Sequence, residues 1–228
     1  MNELWQGFLK AIELIVTLDP EVMEVAGRSL RISATSSLIA SMISIPLGSL
    51  IHFYNFSGKR AVINIIQTLF GVPTVVIGLF VYVMLSRSGP LGSLEWIFTP
   101  IAMIAGQMIL ICPIMLGLTI SALSGLDKKL IDTALSLGAS DSQTIWIILK
   151  EARYAVIAAF VMGFGRAISE VGCALMVGGN IRGFTRVITT TISLETSKGE
   201  LELSIALGII LLFIALIINV ALNRIQQK

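Results

Sequence analysis

The sequence predicts an all-α membrane protein with about five transmembrane helices. Only 13% of the 228 residues are charged and 55% are hydrophobic, whereas soluble domains carry about 25% charged residues. The mean hydropathy is +0.91. Five apolar segments are each long enough to cross about 30 Å of hydrocarbon as a helix: 30–51, 62–85, 97–120, 154–178 and 201–222. The period-two alternation of a membrane β-barrel is absent.

Residues 1–29 are predicted to form an N-terminal interfacial helix ahead of the transmembrane domain, 30–223, and a short tail, 224–228. The apolar part of the first segment is broken by Lys10 and Glu13. It is also short for a span, which needs about 20 residues, so we expect it to lie at the membrane surface. Asp19 and Pro20 are predicted to cap and begin the next helix.

Small and helix-breaking residues mark the first three spans. A stripe at helical spacing predicts either a seam of close helix packing or a polar wall along a pathway; it comprises Ser33, Ser37, Ser41, Ser44 and Gly48. Prolines inside the spans predict kinks in helices that pack together; they are Pro46, Pro73 and Pro113.

Two opposite charges lie four residues apart in the predicted fourth span. Arg166 and Glu170 would share one helix face and can pair. A lone charge at the bilayer centre costs about 2.5–3.5 kcal/mol on insertion scales. The pair is therefore either a structural ion pair between packed helices or part of a transport pathway or gate.

The polar loop 121–153 contains two predicted short helices that meet at a glycine. Asp127 is placed to cap the first helix, whose apolar face comprises Leu130, Ile131, Ala134, Leu135 and Leu137. Gly138 can take the left-handed conformation that ends it, and Ser140 or Asp141 can cap the second. The stretch 127–153 has no His or Cys for catalysis, and its charges nearly cancel, which disfavours nucleic acid. A docking element remains.

The stretch "IDTALSLGASDSQTIWIILKEA" resembles the EAA loop of ABC-transporter permease subunits. Asp132, Thr133 and Ala134 stand where that loop reads Glu-Ala-Ala, and Gly138 stands at its glycine. Glu151 replaces its proline, so three of its positions are altered. The resemblance implies that Asp132, Thr133, Ala134, Gly138 and Ala139 meet an ATPase.

The resemblance continues through residues 164–200. "GRAISEVG" and "GGNIRG" followed by "TRV" are similar to permease subunits of oxyanion importers, and most similar to the tungstate branch. This resemblance implies the type I importer permease fold, a homodimer, two cytoplasmic ATPase subunits and an extracytoplasmic oxyanion-binding protein, in a prokaryotic cell membrane. It places loop 121–153 inside and loops 86–96 and 179–200 outside. Tungstate is the implied substrate, with molybdate or sulfate as the alternative.

The stretch "VGGNIRGFTR", residues 177–186, is a second candidate for the pathway. Gly178, Gly179 and Asn180 permit a tight turn, and free backbone N–H groups with Arg182 and Arg186 would suit an anion. The alternative is a loop that docks the binding protein. We predict no tight anion site, because a permease must release its substrate.

Two other classes of protein fit the sequence less well. An intramembrane enzyme would need a nucleophile or metal cluster, whereas Cys112, Cys173 and His52 lie apart. A self-contained channel or secondary carrier is the other rival, but the internal repeat common in carriers is not apparent. The phosphate-binding loop of nucleotide motors is also missing from the sequence. We therefore predict no cofactor and a separate motor.

Overall fold

The computed structural model describes residues 2–226, in which the chain forms eleven α-helices and one short 3-10 helix at Gly92–Leu94. The helices are α1 Asn2–Val16, α2 Pro20–Phe53, α3 Lys59–Leu69, α4 Thr74–Leu85, α5 Pro100–Ser124, α6 Lys128–Ser136, α7 Asp141–Glu151, α8 Arg153–Ile168, α9 Gly172–Gly178, α10 Ile188–Lys198 and α11 Leu201–Gln226.

Three helices in the described part are long and apolar enough to cross a membrane: α2, α5 and α11. Two further crossings are broken, since α3 meets α4 at 99° and α8 meets α9 at 59°. The prediction of about five crossings is met when each bent pair counts as one. The kink predicted at Pro73 within 62–85 is present as a full break, whereas the break within 154–178 was not predicted.

The bend between α3 and α4 has a local cause. Pro73 stands at the N-cap of α4, where it lacks an N–H and disfavours a helical conformation at Val72. Pro46 and Pro113, in contrast, lie inside helices that continue through them. The proline therefore breaks the second crossing but not the first or third.

The N-terminal segment divides at residues 17–19. Asp19 caps α2 as predicted, accepting hydrogen bonds from the N–H groups of Glu21 at 3.1 Å and Val22 at 3.0 Å. Residues 20–29 are thus continuous with the first span. Helix α1 buries Ala11 and Leu14 in a cluster with α2 and α11, while Trp5 and Phe8 are exposed. Its position at the membrane surface stays a prediction.

The small-residue stripe of α2 faces α5. Ser33, Ser37 and Ser44 are buried, and the Ser44 hydroxyl donates to the carbonyl of Cys112 at 3.1 Å. A Cβ atom on Gly48 would lie only 3.1 Å from the Thr119 side chain. The stripe is therefore a packing seam within the chain.

The predicted functional elements lie at opposite ends of this bundle. At one end, Ser124 at the end of α5 lies 3.3 Å from His52 near the end of α2. At the other end, Arg28 donates to the carbonyl of Arg186 at 2.8 Å. Arg28 and His52 are both on α2, and at about 1.5 Å per residue they are roughly 36 Å apart.

Candidate functional site

The polar loop folds into two helices joined at Gly138. Gly138 has φ +83°. Its N–H donates to Leu135, and the N–H of Ala139 donates to Ala134, both at 3.0 Å. These two bonds define a Schellman ending of α6, which needs a residue that tolerates positive φ. The predicted left-handed glycine is confirmed.

Both helices also begin as predicted. The Asp127 carboxylate accepts a hydrogen bond from the N–H of Lys129 at 3.0 Å. Ser140 caps α7 and forms a reciprocal capping box with Gln143. Local side chains therefore define where both helices begin and where the first one ends.

The predicted apolar face of α6 is only partly correct. Ile131 packs against the buried cluster below, and Ala134 is 7% exposed. Leu137, however, is 83% exposed, and Trp146 on α7 is 69% exposed. Of the residues predicted to meet an ATPase, Asp132, Thr133 and Gly138 are exposed, whereas Ala134 is not. Its side chain packs inward, so the exposed surface belongs to its neighbours.

The α6–α7 element is attached to the spans by a small apolar cluster and one polar contact. Leu123, Ile148 and Ala152 form the buried cluster between α5, α7 and the start of α8. The Tyr54 hydroxyl donates to the Asp141 carboxylate at 3.1 Å, and this bond raises the pKa of Tyr54. The exposed surface is thereby connected to α2, α5 and α8.

The second candidate region is the break between α8 and α9. Arg166 lies in the last turn of α8, and its Nη1 is 3.4 Å from Oε2 of Glu170. The predicted pair is present, but Glu170 lies in the break and not on the helix. Its other oxygen, Oε1, accepts a hydrogen bond from the N–H of Cys173 at 2.8 Å. The carboxylate therefore joins the two halves of the crossing.

The two partners differ in exposure. The Glu170 side chain is 1% exposed, whereas that of Arg166 is 38% exposed. Arg166 lines a cavity of about 390 Å³ between α5, α8 and α11, together with Ser169 and Asn219. The buried Glu170 carboxylate thus pairs with the Arg166 guanidinium, which is still partly exposed in the cavity.

Sequence reasoning missed two residues that hold this break. Gln107 on α5 donates its side-chain Nε2 to the Ala167 carbonyl at 3.0 Å. Thr189 on α10 donates its hydroxyl to the Glu170 carbonyl at 2.8 Å. Gln107 is the one amide in the apolar segment 97–120, which is the signal that could have identified it.

The loop at residues 177–187 closes on itself. Gly178 is buried, and Gly179 and Asn180 have φ +69° and +50°. The buried Thr185 hydroxyl donates to the Gly178 carbonyl and accepts from the N–H of Ile181. The N–H groups of residues 184–186 all donate to Ile181. The backbone N–H groups predicted to be free for an anion are largely used within the loop.

The two arginines of this loop share one acidic partner. Arg182 lies 2.6 Å and Arg186 lies 3.9 Å from the carboxylate of Glu21 at the start of α2. Arg28 pairs with Glu24 and also donates to the Arg186 carbonyl. Glu21 therefore offsets much of the positive charge that was predicted to attract an oxyanion.

The bundle with its broken crossings and its capped α6–α7 element is the fold of ABC importer permeases. The permease of a bacterial alginate ABC transporter, solved with a pentasaccharide-bound periplasmic protein, aligns over 98% of this chain and 86% of its own. Its TM-score is 0.78 at 22% identity. Residues 44–228 match the family model described as binding-protein-dependent transport system inner membrane component. The chain belongs to this family, which confirms the predicted fold class and inner-membrane location.

Two relatives are similar over nearly their whole length. The tungstate uptake system permease protein TupB of Peptoclostridium acidaminophilum is 40% identical over 228 residues, which is all of both chains. The protein of the same name from Campylobacter jejuni is 36% identical over all of this chain and 95% of its own. The chain is accordingly a membrane permease subunit of a transporter whose ATPase is a separate protein.

Proposed function

We propose that this chain is the permease of an ATP-driven tungstate importer. The observation that carries the proposal is the 40% identity, over the full length of both chains, to a tungstate uptake permease. Molybdate and sulfate are chemically related tetrahedral dianions, so they are the competing substrates that a test must include.

The importer would contain two copies of the chain. Arg166 supports this arrangement, because a cation that is 38% exposed at membrane depth is costly against lipid. A second copy placed over the cavity between α5, α8 and α11 would remove Arg166 from lipid. The cavity would then open onto a passage between the two copies.

The α6–α7 element would receive the ATPase on the cytoplasmic side. Its exposed Leu137 and Trp146 offer apolar anchors, and its apolar cluster with α5 and α8 would transmit a displacement to the spans. A junction built from caps and a Schellman turn is well suited to this role. Its helix ends are hydrogen-bonded within the element, so the two helices would move together when the ATPase displaces them.

The opposite end would face the extracytoplasmic binding protein. Residues 86–96 and 179–200 would lie there. The residues next to these loops are joined by a hydrogen bond from the Phe98 N–H to the Val177 carbonyl at 2.8 Å. Gly178, Gly179 and Asn180 would shape this entrance, and Arg186 would line it, next to the depression that it forms with Glu21 and Arg182. Since Glu21 balances the arginines, the entrance would guide an oxyanion without retaining it.

Arg166 would contact the oxyanion in the passage itself. Its pairing with Glu170 reduces its net attraction for a dianion, so binding would be weak and release fast. The pair therefore suits a transient step better than a storage site.

The test is uptake by proteoliposomes. Vesicles that hold this chain, its ATPase and a loaded binding protein should concentrate tungstate when ATP is supplied, whereas vesicles with the chain alone should not. Molybdate and sulfate are offered at equal concentration in parallel. Concentrative uptake by the lone chain would refute the importer, and faster uptake of sulfate or molybdate would reassign its substrate.

A further inference from the structure

A break inside a membrane crossing leaves backbone groups that need partners. Water is absent from the hydrocarbon core, so each freed N–H and C=O must bond to protein. At the end of α8, the Ala167 carbonyl accepts from Gln107 at 3.0 Å and from the N–H of Glu170 at 3.2 Å. A side chain from α5 therefore supplies one of the two hydrogen bonds that this carbonyl accepts, and it is the one that ties the break to another helix.

The orientation of the Gln107 amide follows from its partners. The Ala167 carbonyl can only accept, so the NH₂ group of Gln107 must face it. The carbonyl oxygen of the amide then faces Ser36 on α2, whose hydroxyl lies 2.7 Å away and must donate. Gln107 is 5% exposed and Ser36 is fully buried. One amide thus connects α2, α5 and α8 at the break.

We propose that Gln107 is a positioning residue for transport. Its amide ties α2 and α5 to the freed Ala167 carbonyl, and this tie holds the break that carries Arg166 and Glu170. The role of Gln107 in transport rests on the proposed importer function. Its hydrogen bonds to Ser36 and Ala167 do not, so the hydrogen bonds and the transport role can be tested separately.

The chain contains its own reporter for the break. Cys173 is 1% exposed and follows the break directly. A Cβ atom on Gly106, beside Gln107, would lie 2.4 Å from the Cys173 sulfur. Loosening the Gln107 tie should therefore expose this thiol. The half-buried Cys112 is replaced by Ala in the parent protein so that alkylation reports Cys173 alone.

Two substitutions separate the hydrogen bond from simple packing. Gln107→Leu removes the donor at every pH. Gln107→Glu removes it only while the side chain is ionised, because a neutral carboxyl can donate to Ala167 and accept from Ser36. Burial raises the pKa of a glutamate by up to 3–5 units from about 4.3. Gln67→Glu on the exposed face of α3 is the matched control.

The titratable groups around position 107 bear on this pH dependence. Arg166, Glu170 and Cys173 lie at the break on the elements that pack against α5. Around Ser36, α2 presents serines, and its titratable or charged residues are Glu21, Glu24, Arg28, Arg31 and His52; α4 has no charged residue and one tyrosine, Tyr82. Lys59 of α3 lies at the far end, where it donates to the His52 carbonyl, and Arg60 is next to it. All of these groups are common to parent and variants, so each rate is divided by the parent rate at the same pH.

The experiment measures alkylation of Cys173 by a maleimide in membranes. For Gln107→Leu we expect alkylation at least about fivefold faster than the parent at both about pH 6 and about pH 8.5. At about pH 8.5, Cys173 in Gln107→Glu should be alkylated as fast as in Gln107→Leu. At about pH 6, its alkylation rate should be within about twofold of the parent rate. Parent-like alkylation of Gln107→Leu, or identical behaviour of the two variants at both pH values, would overturn the tie.

The transport role is read in the reconstituted importer. Tungstate uptake by Gln107→Glu, relative to the parent, should recover on acidification in step with protection of Cys173. Uptake by Gln67→Glu should follow the parent throughout. If Gln107→Leu fails to assemble, Gln107→Glu decides alone, because its neutral form closely matches the natural side chain. If relative uptake does not change with pH while the alkylation rate of Cys173 does, Gln107 has only a structural role. If the parent protein itself does not transport tungstate, that result counts only against the proposed function.

Discussion

Two junctions turn one helix into the next, at Gly138 and at residues 169–171, and they are built in different ways. The turn of the first is built by neighbours in sequence, namely the caps Ser140 and Gln143 and a Schellman ending. The second has no proline. Besides the local Glu170 carboxylate, it is held by side chains from α5 and α10, and the α5 side chain is bonded in turn to Ser36 of α2. A junction of the first kind takes its shape mainly from local hydrogen bonds. A junction of the second kind changes when the helices around it move, which suits a gate.

The largest effect is expected at the local junction. A β-branched residue at positive φ is strongly disfavoured, and strain of about 1–3 kcal/mol corresponds to about fivefold to 150-fold in association. Gly138→Val should therefore lose co-purification with the ATPase and substrate-stimulated hydrolysis, while the spans insert normally.

Gly58→Val is the control for this prediction. Gly58 has φ +88°, and a Cβ atom there would meet nothing within 4 Å, as is also true of Gly138. Both variants carry the same kind of strain, but only one changes the docking turn. Equal ATPase association by the two variants would mean that the α6–α7 element is not the coupling surface.

The next effect concerns the charge pair at the second junction. Glu170→Gln leaves Arg166 without its counter-charge. Breaking a fully buried pair costs about 3–5 kcal/mol. Because Arg166 is 38% exposed, we expect about 2 kcal/mol, or a melting temperature lower by about 4–8 °C. Thermal unfolding in detergent provides the measurement, and an unchanged melting temperature would show that the contact contributes nothing.

A smaller loss is expected from the hydroxyl that holds the break from α10. Thr189→Val removes the donor to the Glu170 carbonyl and should cost about 1 kcal/mol. Thr191→Val is the matched control, because its hydroxyl donates to Val187 of the preceding turn, which also accepts the N–H of Thr191. The melting temperatures of the two variants should differ, with Thr189→Val lower. Equal values would argue that α10 does not support the break.

The smallest effect is expected at the exposed contact between α2 and α7. Tyr54→Phe removes the hydrogen bond to Asp141, and uptake should stay within about twofold of wild type. The bond needs the phenol proton and raises the pKa of Tyr54. Its contribution is therefore present at neutral pH and is lost as the pH rises through that raised pKa, above about 10. A large loss of uptake at neutral pH would make this contact part of the coupling path.

The contrast between the junctions also explains what the sequence could predict. Asp19, Asp127, Gly138 and Ser140 act on residues within a few positions, so local patterns identify their caps. The role of Gln107 depends on Ser36 and Ala167, which are 71 and 60 residues away. Apolar length predicted five crossings but not the breaks within two of them, because length does not specify where a backbone carbonyl finds its donor.

The loop at 177–187 illustrates the same limit. Its glycines and arginines were visible in the sequence and suggested an exposed anion site. Thr185 closes the backbone onto itself, and Glu21 meets both arginines from a position about 160 residues earlier. Composition indicated positive charge, whereas the fold determines how much of that charge remains available.

The Arg166–Glu170 pair is proposed to serve transport and not only stability. The most direct measurement is the initial rate of ATP-driven tungstate uptake by the double variant Arg166→Met with Glu170→Leu. Replacing a pair by apolar residues of similar size is often neutral or stabilising, so its melting temperature should recover relative to Glu170→Gln. We predict that this stable double variant transports at least about tenfold more slowly than wild type, because the cation that meets the oxyanion is gone. Uptake at the wild-type rate would show that the pair serves stability alone and that Arg166 has no role in transport.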